Sequence, residues 1–281
     1  MNYRHAFHAG NFADVHKHSI LARILVHLRL KPSAFRVIET HAGAGRYDLF
    51  GPEPSRSGEW RDGIERIWRA RPDTTSRALL APYLETVAAL NPDGRLRLYP
   101  GSPLIAANLL RSQDRLLACE VEPHAAALLA RALGGNARAK ALTIDGWMAL
   151  GAYLPPKERR GLVFIDPPFE DAADFTRLSS AVAAAHDKWP GGTYMLWYPI
   201  KERDAPEVLA RRLKKLAVPN ILRSELMLGP PRAKAGLVGS GLIVVNPPFT
   251  LQRDLRIFLP ALSKALSPRA STRTDWLAPE R

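Results

Sequence analysis

Residues 35–45 read Phe35-Arg36-Val37-Ile38-Glu39-Thr40-His41-Ala42-Gly43-Ala44-Gly45, a short β-type run that stops in a loop with two glycines. Gly43 and Gly45 let the chain turn tightly and bring backbone amides close to a ligand where a strand gives way to a helix. Further β-type runs follow at Arg115–Glu120, Ala139–Ile144, Gly161–Ile165, Thr193–Pro199, Ile221–Leu228 and Gly241–Val245, interleaved with helical patterns. That alternation predicts a doubly wound α/β sheet of seven strands. Ahead of the first run, Ile20, Leu21, Ile24, Leu25 and Leu28 recur at helical spacing. A helix begun at Asn11 or Asp14 therefore precedes the sheet, with its basic and His residues off the apolar face.

The rhythm breaks between Gly45 and Arg115. Ile64, Ile67 and Trp68 form one helical stripe there and Leu80, Tyr83, Leu84 and Val87 another, split by Arg71-Pro72-Asp73. We expect one domain over residues 1–281 with an N-terminal motif (1–18), a helical insertion (about 48–96) and a polar C-terminal tail (268–281) that is partly ordered at best. A chain of 281 residues, 46% of them apolar, can bury a sizeable core, which excludes disorder as its main state. Forty basic residues against 27 acidic ones leave a net charge of +13, so the surface attracts a polyanion, and nucleic acid is the first partner to expect. The single Cys119 excludes an internal disulfide and a cysteine-built zinc site and fits a reducing cytoplasm. No apolar run approaches the ~20 residues of a membrane span, so a soluble, cytoplasmic protein is expected.

Three strand ends carry groups suited to a nucleoside. Against the class I S-adenosylmethionine pattern acid-x-Gly-x-Gly-x-Gly, Glu39, Gly43 and Gly45 match, while His41 stands where the first glycine usually is. The second sheet strand closes in Cys119-Glu120-Val121-Glu122-Pro123, and a carboxylate at that end can accept both ribose hydroxyls. The third closes in Asp145-Gly146, an acceptor for an adenine amino group beside a glycine that permits close approach. Glu122 and Asp145 could equally serve only as helix caps, and Ser102, followed by Pro103, reads first as an N-cap whose helix start could also face a cofactor carboxylate.

The fourth strand, Leu162-Val163-Phe164-Ile165, runs into Asp166-Pro167-Pro168-Phe169, the Asp/Asn-Pro-Pro-aromatic motif of amino-methyltransferases. An exocyclic adenine or cytosine nitrogen shares its lone pair with the ring and is a poor nucleophile. Asp166 and the carbonyl of Pro167 can accept its two N–H bonds, the prolines stiffen that carbonyl, and Phe169 offers a stacking face to a flipped base. Alignment with the donor supplies much of the rate, and either Asp166 or water takes the final proton. A second copy, Asn246-Pro247-Pro248-Phe249, matches as well by motif. In a class I sheet the fourth strand lies beside the first, at the switch point, whereas the last is antiparallel and about two strands (~10 Å) away. Asp166 is therefore assigned to catalysis and Asn246 to a structural turn.

The N-terminal stretch Tyr3 to His18 is dense in side chains that stack or bind phosphate and could cover an RNA strand. Its four histidines also suggest metal, but no Cys accompanies them and His16 and His18 point apart on a helix, so no metal site is expected. Basic residues recur over Arg56–Arg71, in Arg211-Arg212 with Lys214-Lys215, and as Arg232-x-Lys234 in a loop that could move over a substrate.

Together these segments resemble the RlmJ family of bacterial 23S rRNA adenine-N6 methyltransferases, over nearly the whole chain. The matching words are Tyr3 to His18, Thr40 to Tyr47, Tyr99 to Ala106, Ile165 to Pro168, Leu196 to Pro199 and Asn246 to Pro248. The resemblance implies a Rossmann-like class I methyltransferase with a helical insertion, using S-adenosylmethionine on one adenine of 23S rRNA and acting as a monomer. It implies cofactor positions at His18, His41, Ser102, Glu120, Asp145 and Gly146, alongside Gly43, Gly45 and Asp166. It also implies catalysis at Asp166 and a substrate contact at Tyr3; from their chemistry we add Pro167 and Phe169 to the catalytic set, and Arg4, His5, Lys17, Phe169, Arg232 and Lys234 as substrate contacts. Phe169 departs from the Tyr expected after the prolines; stacking survives, a hydroxyl hydrogen bond does not. A DNA amino-methyltransferase and a silent RNA-binding protein stay open, while Asp48 in place of a third glycine argues against a dinucleotide oxidoreductase.

Overall fold

The computed structural model describes residues 4–171, 173–216, 218–230 and 236–279. Its strands are β1 (Arg36–Glu39), β2 (Arg46–Asp48), β3 (Leu98–Pro100), β4 (Arg115–Glu120), β5 (Ala139–Thr143), β6 (Gly161–Ile165), β7 (Thr193–Ile200), β8 (Ile221–Met227), β9 (Gly239–Val245) and β10 (Ser271–Ala278). Its α-helices are α1 (Phe12–Leu28), α2 (Pro52–Ser57), α3 (Ile64–Arg69), α4 (Thr74–Ala89), α5 (Ser102–Leu109), α6 (Pro123–Leu133), α7 (Gly146–Ala152), α8 (Asp174–Lys188), α9 (Asp204–Lys215) and α10 (Leu251–Leu266).

The main sheet runs β10-β8-β9-β7-β6-β1-β4-β5. β5, β4, β1, β6 and β7 are mutually parallel, and β9 runs against both β7 and β8. This is the class I methyltransferase order, with one strand more than the expected seven. β1 sits between β4 and β6, so the glycine loop, Glu120 and Asp166 all leave the same carboxyl edge of the sheet, where ligands of open α/β sheets bind. One apolar cluster packs α1, α4, α5 and α10 on one face; the other packs α7, α8 and α9 on the opposite face. Helices α2, α3 and α4 lie between β2 and β3, which pair antiparallel and close that segment at its base.

The extra strand is the segment expected to be a partly ordered tail. Ser271–Ala278 pairs antiparallel with β8 as β10. Its apolar content is low because it is an edge strand held by the backbone ladder and by charge. Arg223 on β8 is 2% exposed, and Asp275 takes its Nε and Nη2 at 2.9 and 2.8 Å. α1 departs from expectation too. Asn11 caps it, accepting from the Asp14 amide at 3.0 Å, but the helix is not amphipathic in burial: Asp14, His16, Lys17 and His18 are as buried as its leucines. With α4, α5, α10 and β9 all packed around it, α1 has no solvent face over that stretch, and each polar side chain has found a partner.

Ending the chain at Ala270 removes Asp275 from the buried Arg223 and opens the β8 edge. We expect destabilisation by ~3 kcal/mol or more and concentration-dependent aggregation, read by thermal unfolding and light scattering. A melting temperature within about 2 °C of the full chain's would contradict this role for β10.

Candidate active site

The exits of β1, β4, β5 and β6 meet at the carboxyl edge. β1 ends in Glu39, which is 1% exposed and accepts the Ser102 hydroxyl at 2.7 Å. Ser102 is thus the first residue of α5, capped by Gly101, rather than the cap it was expected to be. Burial, opposed by Ser102, pushes Glu39 up to about 8, so its carboxyl is largely protonated at neutral pH; its other oxygen is buried without a hydrogen-bond partner among the described residues. The loop then turns through Gly43 and Gly45, both at positive φ (62° and 76°), conformations that favour glycine. A Cβ on Gly43 would run into the Tyr47 hydroxyl, which accepts the Ala44 amide.

Glu120 at the end of β4 is 9% exposed and fixed by two amides: its oxygens accept Gly43 N at 2.8 Å and Glu122 N at 2.9 Å. Glu122 itself caps α6, taking the His124 and Ala125 amides. Asp145 caps α7 through one oxygen, which accepts Trp147 N and Met148 N. Gly146 lies so close to the Thr40 carbonyl that any Cβ there would clash with it, which locks the β5 exit onto the β1 exit. His41 accompanies them, its ring edge-on to Trp147 at 5.2 Å and its Nδ1 2.7 Å from the Thr40 hydroxyl; burial pushes it down to about 4, so it is neutral. His18 lies deeper, stacked on Tyr99 with Nδ1 2.8 Å from that hydroxyl, which in turn meets Tyr83 at 2.9 Å. Burial brings His18 to about 3.

These groups form a donor set for a nucleoside bearing an amino-acid tail. A fixed carboxylate sits at β4, an acceptor beside an obligatory glycine at β5, a glycine loop at positive φ at β1, and an orphaned buried oxygen on Glu39. The residues present therefore fit S-adenosylmethionine.

Beside this set lies the Pro-Pro turn at the end of β6. Asp166 is 13% exposed, and its Oδ2 accepts Lys17 Nζ at 2.6 Å. The same ammonium, 4% exposed, lies 2.9 Å from Asp14 Oδ1 and over the Trp197 ring at 5.2 Å. Burial lowers the Lys17 pKa, but Asp14 and Asp166 outweigh it and hold it above the usual lysine range. Asp14 also accepts the Gly10 amide at 2.8 Å and faces His5 Nε2 at 3.1 Å. Phe169 takes φ 50°, a conformation a bulky side chain seldom adopts, and thereby packs against Phe175 (4.8 Å) and Trp197 (5.7 Å). A cavity of about 320 Å³ opens here, lined among others by His5, Asp14, Lys17, Phe169, Trp197 and Lys201, at the small end of the range for ligand sites. Its Trp197 wall is fixed from behind: the indole N–H donates to Ser240 Oγ at 3.0 Å, and the buried His16 bridges Ser240 and Ser224 at 3.0 Å each.

Of the expected substrate contacts, His5 and Lys17 line this cavity, Arg4 pairs with Glu53 at 3.5 Å, and Tyr3, Arg232 and Lys234 lie outside the described residues. Asp14, Glu39 and Trp197 were not singled out as site residues. Asp14 carried a signal in its i, i+3 spacing to Lys17, Glu39 in its match to the acidic pattern position, and Trp197 in the Leu196–Pro199 word of the resemblance. The second copy of the motif builds a different turn. There the left-handed residue is Asn246 (φ 50°), whose amide group donates to Pro190 O and Gly192 O at 2.7 and 2.9 Å, on the opposite edge of the sheet.

Comparison with known proteins agrees with this arrangement. Residues 32–278 match the family described as ribosomal RNA large subunit methyltransferase D, RlmJ. The ribosomal RNA large subunit methyltransferases J of Haemophilus influenzae and Escherichia coli are each 39% identical to this chain over the full length of both partners. A crystal structure of a Legionella pneumophila protein superposes with a TM-score of 0.88 at 34% identity, covering 95% of this chain and 98% of that one. With its sheet order, its strand-end donor set and its Asp-Pro-Pro turn accounted for together, the chain belongs to the RlmJ family of ribosomal RNA large subunit methyltransferases.

Proposed function

We propose that this protein methylates the exocyclic N6 of one adenine in 23S rRNA, with S-adenosylmethionine as donor. The observation that carries the reading is the Asp166 carboxylate, held at 2.6 Å by Lys17, a residue that lines the aromatic cavity, beside a nucleoside donor set. S-adenosylmethionine, when bound, supplies an electrophilic methyl group. Glu120, Asp145, Gly146, Gly43, Gly45, His41 and Ser102 would hold it, with His18 supporting the Tyr99 side of the site.

The target base leaves its stack and lies against Phe169, with Trp197 closing the wall. Asp166 and the Pro167 carbonyl accept the two N6 protons, drawing the nitrogen lone pair out of conjugation. Lys17 holds Asp166 through the 2.6 Å ion pair, so the carboxylate is already aligned when the base arrives. The proton released goes to Asp166 or to water. His5, held by Asp14, and Arg4 contact the nucleotide. Neutral His18 and His41 add no repulsion toward a cationic donor. In this reading the protein acts in the cytoplasm as a monomer and needs no metal.

Complementation of cells lacking the protein tests the assignment. Mass mapping of 23S rRNA should show N6-methyladenosine at one site with the wild type and with Asn246→Ala, and loss of at least 100-fold with Asp166→Ala. A methylated site with Asp166→Ala and none with a folded Asn246→Ala would reverse the roles of the two turns. Glu39 gives a pH test. Its unfolded carboxyl titrates near 4.5 and its folded one near 8, so between those values the native state binds more protons and stability falls as pH rises. Glu39→Gln should therefore gain in melting temperature over wild type at pH 9 relative to pH 5; an equal difference at both values would contradict a protonated Glu39.

A further inference from the structure

The amino edge of the sheet, opposite the proposed methyl-transfer site, carries an arginine at the start of each of four neighbouring strands. Arg36 begins β1 and is the register partner of Arg115, which begins β4. The β4–β5 register, Leu116 to Ala139, places Arg138 beside Arg115, and Arg160 immediately precedes Gly161, the register partner of Arg36. Neighbouring strands are ~4.8 Å apart, so the four form a row across about 14 Å of rigid sheet edge.

Among the described residues, Arg36 alone of the four forms a salt bridge, a bidentate pair with Glu158 at 2.7 and 2.9 Å. The other three guanidiniums are held in place by neutral acceptors: Arg115 on the carbonyls of Ser112 and Asp114, Arg138 on Leu110 O and Asn136 Oδ1, and Arg160 on Leu28 O and Ser33. The nearby Asp114 is already occupied by Arg111. Burial, joined by the Arg111 charge and opposed by Asp114, holds Arg160 below the usual arginine range. Positioned guanidiniums with charge to spare are what phosphate groups select.

Two further features share this edge. A solvent-open depression of about 610 Å³, lined by Ser112 and residues 134–138, lies alongside Arg138. The turn after β9 projects Phe249 from the same edge: the Pro-Pro step and the Asn246 anchors fix it 86% exposed, edge-on to His27 at 5.2 Å. An aromatic ring held rigidly in solvent beside cations is a stacking platform for an unpaired base.

We propose that this edge is a second RNA-binding face, on which Arg115, Arg138 and Arg160 hold backbone phosphates of the substrate RNA distant from the methylated nucleotide and Phe249 stacks one of its bases. The proposal rests on the rRNA reading of the active site and extends it to parts of the substrate that site does not touch. None of these residues belongs to the methyl-transfer or cofactor machinery.

The test uses the full chain with all three arginines changed to Gln, a matched triple Lys variant, and Phe249→Ala. Steady-state methyl transfer is measured on a long 23S rRNA fragment and on a short hairpin holding only the target, with direct RNA binding across a salt series and calorimetry with S-adenosylhomocysteine. On the long RNA the Gln variant should raise KM at least tenfold with kcat within twofold, and lower the slope of log affinity against log salt by about 2 to 3. The short hairpin should be unaffected, and the Lys variant should stay within threefold of wild type. Phe249→Ala should weaken long-RNA binding several-fold with no change in salt slope. If the Gln variant loses S-adenosylhomocysteine binding, the single variants carry the test, each expected to lower the slope by about 1.

An unchanged KM and slope for the Gln variant would overturn the proposal, as would equal losses on the short hairpin. Wild-type affinity for phosphatidylglycerol vesicles exceeding that for RNA, and lost in the Gln variant, would reassign the row to a membrane surface and overturn it too. A wild type that transfers no methyl group to rRNA, yet binds the long fragment through these arginines, would instead refute the activity and leave this face standing.

Discussion

A lysine ammonium buried between two carboxylates ties the structure together. Lys17 is 4% exposed and bridges Asp14 on its own helix to Asp166 at the end of β6. An ion stripped of water is tolerated only with close partners, and here each partner is itself fixed, Asp14 by the Gly10 amide and His5, Asp166 by the proline-stiffened strand exit. The bridge sets how α1 lies across the sheet and draws residues 4–11 over the cavity. His8 and Asn11 complete that docking on Glu59 of the insertion, at 3.0 and 2.9 Å. The N-terminal segment is thus part of the pocket wall, and the helical segment between β2 and β3 is its outer support.

The two Asp/Asn-Pro-Pro-Phe words show how topology assigns meaning to a motif. At the end of the parallel β6 the left-handed residue is the aromatic one, which swings Phe169 into the cavity against Trp197. At the end of the antiparallel β9 it is the asparagine, which clamps the Trp189–Gly192 turn and sends Phe249 into solvent. Asparagine visits that region more readily than other non-glycine residues, so the first letter of the word decides which turn forms. Two words that differ only in Asp or Asn therefore give a pocket wall on one edge and an exposed ring on the other.

Much of this was legible from residue pattern. Gly43 and Gly45, the β-type runs and the carboxylates at their ends located the sheet and its functional edge, because strand periodicity and glycine turns are local properties. What escaped was tertiary. β10 looked like a loose tail because Thr272, Arg273, Thr274 and Asp275 offer no apolar alternation, yet Asp275 joins Glu207 and Glu225 in pairing the buried Arg223. α1 looked amphipathic because His16, Lys17 and His18 are polar, yet their partners Ser240, Asp166 and Tyr99 lie 224, 149 and 81 residues away in sequence. Ser102 read as a cap because capping is a local rule, and only the fold reveals Glu39 as its partner.

The central claim is that the Lys17 ammonium holds Asp166 ready for the incoming base. Single-turnover methyl transfer with saturating rRNA measures it most directly, comparing wild type, Lys17→Met, and the charge-balanced Asp14→Asn/Lys17→Met pair, which leaves no orphaned buried carboxylate on α1. The account predicts a rate loss of at least 100-fold in both variants with S-adenosylhomocysteine affinity kept within a few-fold. A charge-balanced variant that transfers the methyl group at the wild-type rate would contradict it.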